Sequence, residues 1–182
     1  MSKVYDRVEW DYLRALLLKL WFEARWVRFV MVCVTSTTYS VMLNKESKGY
    51  VFLGRGLRQG DPLSPYLFLI CVEGLSALMG KAERDSLIKG ISICRGGPWV
   101  SHLFCANDSI IFCRATIAEC LALQHILNFY ESASGQMVNG DKTAIFFSHN
   151  TDLAIRSDIL HMFGTSATTK FEKYLGLPPV IG

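Results

Sequence analysis

Gly54-Arg-Gly-Leu-Arg-Gln-Gly-Asp-Pro-Leu-Ser-Pro65 divides the chain. Three glycines and two prolines in twelve residues exclude a regular helix or strand there. Ser64 and Pro65 read as a cap and first turn, and the spacing predicts a helix from them to about Glu83. Phe68, Val72, Leu75 and Met79 share its apolar face. Upstream, Val8, Tyr12, Leu13, Leu16, Leu17 and Leu20 recur every three or four residues, which predicts a helix over Tyr5 to Leu20. A second helix is expected over Glu23 to Val34. Thr37 to Leu43 is rich in β-branched and aromatic residues and reads as a strand. Gly49 to Leu53 pairs back onto it, with Asn44 to Lys48 as the turn.

Downstream, Gly96-Gly97-Pro98 reads as a turn between strands at Gly90 to Cys94 and Val100 to Phe104. Cys105-Ala-Asn-Asp108 reads as a tight turn, since Asn and Asp tolerate turn geometry. A short apolar strand, Ser109 to Cys113, follows it. Ile117 to Ser132 is an amphipathic helix with Cys120, Leu123, Leu127 and Tyr130 on one face. Ser134-Gly-Gln-Met-Val-Asn139 breaks it. Thr143 to Phe147 reads as a strand, Thr151 to Met162 as a helix, and Lys173 to Leu177 as a last strand. Interleaved helices and strands with a central hairpin predict an α+β fold.

The chain has 182 residues, which suits one domain. It is 51% apolar and only 19% charged, which excludes an intrinsically disordered tail. So little charge leaves apolar surface to meet something outside this chain. The net charge of +3 permits nucleic-acid binding without arguing for it. No apolar leader follows Met1, so an intracellular protein of nucleus or cytoplasm is expected. The longest uncharged run, Phe29 to Asn44, is too short and polar for a membrane span, and no membrane partner is expected. Cys33, Cys71, Cys94, Cys105, Cys113 and Cys120 form no C-x-x-C pair and read as free buried thiols. His102 and Cys105 make at most half a zinc site. The sequon at Asn107 reads as accidental without a secretory route.

Gly54, Gly56 and Gly60 imitate a dinucleotide fingerprint, but Pro62 and Pro65 stand where the strand-to-helix junction is needed. Gly140-Asp-Lys-Thr143 lacks the upstream glycine and the length of a phosphate loop. On residue chemistry alone, Gln59 to Pro65 is an ordinary start of a helix, or a flat surface for a base or sugar. Asn107-Asp108 is an ordinary turn former or part of a divalent-cation site, with one carboxylate.

Taken together and in order, these strings resemble the palm of a reverse transcriptase from a plant-type non-LTR, LINE-like retrotransposon. Ser2 to Trp10 resembles the family's first palm motif and Gly56 to Phe68 the second. His102 to Phe112 resembles the third, which normally carries an aspartate pair. Ser134 to Lys142 resembles the fourth, and Lys173 to Pro178 the last. The resemblance implies a palm-like antiparallel sheet packed with helices, in a single partial domain over residues 1–182. It implies RNA-directed DNA polymerase chemistry with two magnesium ions, an RNA template and a DNA primer. It assigns Tyr5 to the incoming sugar, Gln59 and Gly60 to nucleotide and template, and Lys142 to the triphosphate. Asp108 becomes a metal ligand and Asn107 the degenerate member of the aspartate pair.

The departures shape the expectation. The first-motif aspartate falls before Met1, and Asn107 is neutral where the family has a carboxylate. Each missing electrostatic interaction in such a site costs roughly a hundred-fold or more in rate. Fingers and thumb segments are expected to be largely missing. The chain therefore reads as a catalytically defective fragment that does not bind magnesium productively. The alternatives are a polymerase completed by upstream sequence and a non-enzymatic nucleic-acid-binding remnant.

Overall fold

The structure, a computed structural model, describes residues 5–92, 94–105 and 108–168. Its centre is a long helix, α3, which spans Ser64–Arg84. The first half of α3 contributes Leu67, Phe68 and Cys71 to one apolar cluster, with Val8, Leu13 and Leu17 from the N-terminal segment and Val27 and Val30 beyond. Its second half contributes Leu75, Met79 and Ala82 to another, closed by Leu123 and Tyr130. A helix of this length and composition is apolar enough to cross a membrane. Here it is a core helix, with α1 (Trp10–Lys19) and α4 (Ile117–Ser134) packed along it.

The expected helix over Tyr5 to Leu20 is divided. Tyr5–Arg7 is a 3-10 turn, and α1 begins at Trp10. The break has a cause: Val8 O and Glu9 N are taken by other segments, accepting from Gly56 N and donating to Ser134 O. Glu9 occupies the N-cap of α1 without a side-chain bond. Helix α2 covers Ala24–Thr35, with the Glu23 carboxylate accepting from Trp26 N. Ser64 is not the cap of α3 either. Ser64 is buried, and the Asp61 carboxylate holds the turn by accepting from Leu63 N.

Strands β1 (Thr38–Leu43) and β2 (Glu46–Phe52) pair antiparallel. The turn is shorter than expected. Leu43 faces Glu46 across the ladder, so only Asn44 and Lys45 intervene, both left-handed at φ 51° and 67°. Left-handed backbone at both central residues matches a hairpin turn to the strand twist. Every residue of this hairpin's strands is exposed.

The strand expected over Val100 to Phe104 splits between two ladders. β4 (Trp99–Val100) pairs with β3 (Ile91–Ser92), and β5 (His102–Cys105) pairs with β6 (Asp108–Ile111). Among the described residues the strands thus form three separate two-stranded antiparallel ladders. Thr143 to Phe147 is not a strand. It offers one parallel bridge, Ile145 to Ala167, because no described strand lies alongside it. Helix α5 (Leu153–Phe163) packs on α4. The last expected strand, Lys173 to Leu177, lies outside the described residues. Cys71 and Cys120 are buried as expected, whereas Cys33 and Cys94 are exposed.

Candidate nucleotidyl-transfer site

Three of the sequence strings meet through their backbones. Tyr5 O accepts from Leu57 N at 2.7 Å, and Val8 O accepts from Gly56 N at 2.8 Å. Trp10 Nε1 donates to Gly56 O at 2.8 Å, and Arg55 pairs with Glu9 at 3.2 Å. A side chain at Gly56 would press on Asp6 O at 2.9 Å, and its φ is +95°, so this close approach requires glycine. From the other side, Glu9 N donates to Ser134 O at 3.0 Å. Gly135, at φ +72°, lies so close to Arg7 O that any Cβ would collide with it. The first, second and fourth strings thus form one backbone-bonded junction.

The third string rests on α3. His102 Nε2 lies 2.9 Å from Ser76 Oγ, and Nδ1 lies 2.8 Å from Ser101 Oγ. With both ring nitrogens engaged, this histidine is no free zinc ligand. Burial holds its imidazole below the ordinary value, against the opposing pull of Glu83 and Glu73. Phe104 packs into the second apolar cluster. Asp108 is the first residue of β6, opposite Cys105 in the ladder, and is exposed. Asn107 lies outside the described residues.

The sequence-assigned residues are therefore not all gathered. Tyr5 is half-buried against Phe68, with ring centroids 5.3 Å apart. Gln59 and Gly60 are exposed on the loop before α3, with Gly60 at φ +84°. Lys142 is exposed on a 3-10 turn, Gly140–Lys142. No hydrogen bond or ion pair joins Lys142 to Asp108 among the described residues. Nor do three His, Cys, Asp or Glu side chains gather closely enough among them to hold a metal ion. A two-metal centre needs clustered hard anionic oxygens. In the β5–β6 hairpin Asp108 is the one carboxylate among the described residues, and the neutral Asn107 precedes it in the sequence.

Sequence reasoning did not find the polar centre of the core. The hydroxyls of Tyr12 and Tyr130 both donate to Cys71 O, at 3.0 and 3.4 Å. Gly74 leaves the space that the Tyr12 hydroxyl occupies. Both phenols are raised above their ordinary range, chiefly by burial, and burial pushes the Cys71 thiol up to about 12. The only signal was Tyr12 and Tyr130 at apolar-face positions, where a phenol needs a hydrogen-bond partner.

The mixed α+β layering and the junction of ordered strings define a polymerase-palm type of protein. The reverse transcriptase (RNA-dependent DNA polymerase) family matches residues 1–178, and the chain belongs to that family. It is similar to an uncharacterized mitochondrial protein of Arabidopsis thaliana, 44% identical over 68 residues, 37% of this chain and 56% of that protein. It is also similar to the uncharacterized 149 kDa protein of transposon TX1 of Xenopus laevis, 25% identical over 144 residues. That match covers 79% of this chain and 10% of the TX1 protein. The chain thus spans about half the length of one relative and a tenth of the other. Members of the family are polymerases that act on a nucleic-acid template and generally use a divalent metal.

Proposed function

We propose that this chain is the palm of a non-LTR, LINE-type retroelement reverse transcriptase whose own catalytic hairpin is defective. One observation carries the reading: the β5–β6 hairpin presents a single carboxylate, Asp108, preceded in the sequence by Asn107. In this reading Tyr5 lies beneath the incoming sugar. Gln59 and Gly60 meet the nucleotide and template, and Lys142 approaches the triphosphate. The ancestral substrate is a DNA primer on an RNA template. Two magnesium ions belong to that chemistry but have too few anionic ligands here to be held productively.

The test is primer extension on an RNA template, with magnesium and then manganese, beside an active member of the family. Asn107→Asp is run in parallel, and circular dichroism checks each fold. The parent chain is expected to extend at no more than about a hundredth of the active enzyme's rate, the cost of one missing electrostatic interaction. Extension by the parent at a comparable rate would overturn the reading.

A further inference from the structure

The geometry points to a stacking platform for unpaired nucleic acid at the corner between α1 and α2, on residues outside the five strings. It adds a ligand surface to the palm reading and does not depend on the catalytic defect. The corner opens with an anomaly. Helix α1 closes with Trp21 N donating to Leu18 O and Phe22 N to Leu17 O. This closure puts Trp21 in the left-handed region, at φ 64°, where helices normally place glycine. A bulky residue is strained there. Trp21 gains no burial in return, since 94% of its surface is exposed. Strain without a packing benefit accumulates where function needs it.

The next residues extend the surface. Phe22 and Trp26 are stacked, with ring centroids 4.7 Å apart and planes 19° apart, and both stay exposed. A stacked aromatic pair at a helix start is by itself ordinary packing. Here Arg25 also lies over Phe29, its guanidinium carbon 5.9 Å from the ring centroid, and Phe29 is exposed. Arg25 and Arg28 have no ion-pair partner among the described residues. The one acid of the corner, Glu23, is engaged in capping α2.

Charge selects the occupant. Residues 19–48 hold five of the chain's 19 Lys and Arg but only two of its 16 Asp and Glu. That surplus equals the net charge of +3, so the rest of the chain is net neutral. A polyanion is drawn to this segment rather than spread over the molecule. Exposed flat rings interleaved with arginines suit unpaired bases and their phosphates, because any base offers a face to stack. A duplex hides those faces. A bilayer would have to bury Arg25 and Arg28 along with the rings.

The test measures anisotropy of a fluorescein-labelled oligouridylate of about 15 nucleotides, in the site-size range of such surfaces, on the full chain. Trp21→Gly is the decisive variant. It relieves the left-handed strain, so its thermal midpoint is expected to rise by about 2–4 °C. Its affinity is expected to fall about ten-fold, since stacking is worth that much or more per base. Gain of stability with loss of affinity separates stacking from unfolding. Trp26→Ala is expected to weaken binding similarly, and Trp26→Phe to restore most of it. Arg25→Gln with Arg28→Gln should flatten the salt dependence, by about 0.7 in the log–log slope for each phosphate no longer neutralised.

Several outcomes overturn the platform. One is parental affinity in Trp21→Gly. Another is equal loss in the charge-matched pair Lys81→Gln with Arg84→Gln, which would reduce binding to net charge. Tighter binding of a duplex, or of phosphatidylserine vesicles, names another occupant. Loss on Gln59→Ala but not on Trp26→Ala would assign the binding to the loop before α3. A positive primer-extension result would sink the catalytic reading and leave these binding expectations as they stand.

Discussion

Helices α1 and α4 both end in a left-handed residue, yet one ends in tryptophan and the other in glycine. At α4, Gly135 has φ +72° and its Cα faces Arg7 O with no room for a side chain. At α1, Trp21 has φ 64° and faces solvent. Both residues have a positive φ, and the surroundings differ. Around Gly135 the chain closes on itself: the first, second and fourth strings exchange backbone hydrogen bonds there. Beyond Trp21, α2 shows an aromatic and basic face, and the β1–β2 hairpin is exposed throughout. The molecule has a closed side, where glycine is dictated by close approach, and an open side, where a costly residue is tolerated without one. Among the described residues, half of the exposed large apolar side chains lie between Leu18 and Phe52, on that open side.

The strongest way to break this contrast is Gly135→Ala. The substitution adds left-handed strain and a collision with the Arg7 carbonyl, which belongs to a backbone already fixed by Gly56 and Leu57. We expect a loss of about 3 kcal/mol or more in urea unfolding, in the range of severe single substitutions. Gly164→Ala is the matched control. Gly164 also ends a helix at positive φ, 60°, but no atom lies where its Cβ would go. Only the conformational penalty of about 1 kcal/mol is expected. Equal effects at the two glycines would mean that the closed junction adds nothing to the demand for glycine at Gly135.

Much of this arrangement was legible. The apolar spacing placed α1, with a start five residues early, and α3 and α4, because the packing of α1 and α4 along α3 follows the same helical period that the sequence displays. What sequence could not show was where backbone groups go. The break before α1 exists because Val8 O and Glu9 N bond to segments far along the chain. Nothing in residues 5–20 records that. The hairpin turn was overestimated because Lys45, unlike glycine, gives no sign of left-handed backbone. Thr143 to Phe147 has strand-like residues, but a strand needs a neighbour, and propensity does not supply one. At the site, the order of the strings marked Tyr5, Gln59, Gly60, Asp108 and Lys142. The structure joins only the backbones around them. Trp21 left no trace in any pattern, since its interest lies in a dihedral angle.

Titration separates the two sides. Cys71, at the heart of the closed side, is pushed up to about 12 from 9.0 by burial, and the Tyr12 and Tyr130 phenols are raised with it. A group that holds its proton more tightly when folded stabilises the fold below its unfolded value. That stability is lost as pH climbs toward the folded value, because the unfolded chain then binds fewer protons. Stability is therefore expected to be level between about pH 7 and 9 and to fall above it, with Cys71 alone contributing about 1.4 kcal/mol per pH unit. Urea midpoints across that range check this, and Cys71→Ala should flatten the slope. An unchanged slope in Cys71→Ala would mean that other groups carry the alkaline loss.

The smallest effect asks whether the open side is costly because it is open or because it is tryptophan. Helix α3 closes as α1 does, with Ser86 N donating to Glu83 O and Leu87 N to Ala82 O, and Ser86 stands at φ 57°. Ser86 borders the second apolar cluster through Ile88, which is fully buried. Ser86→Gly is expected to stabilise by about 0.5–1 kcal/mol, because glycine meets no steric penalty there. Trp21→Gly should gain at least as much, since a bulky residue is the more strained at that angle. If Trp21→Gly instead destabilises, the indole is packing in solution against something on the open side. That residue would then belong with Gly135, as one dictated by its neighbours.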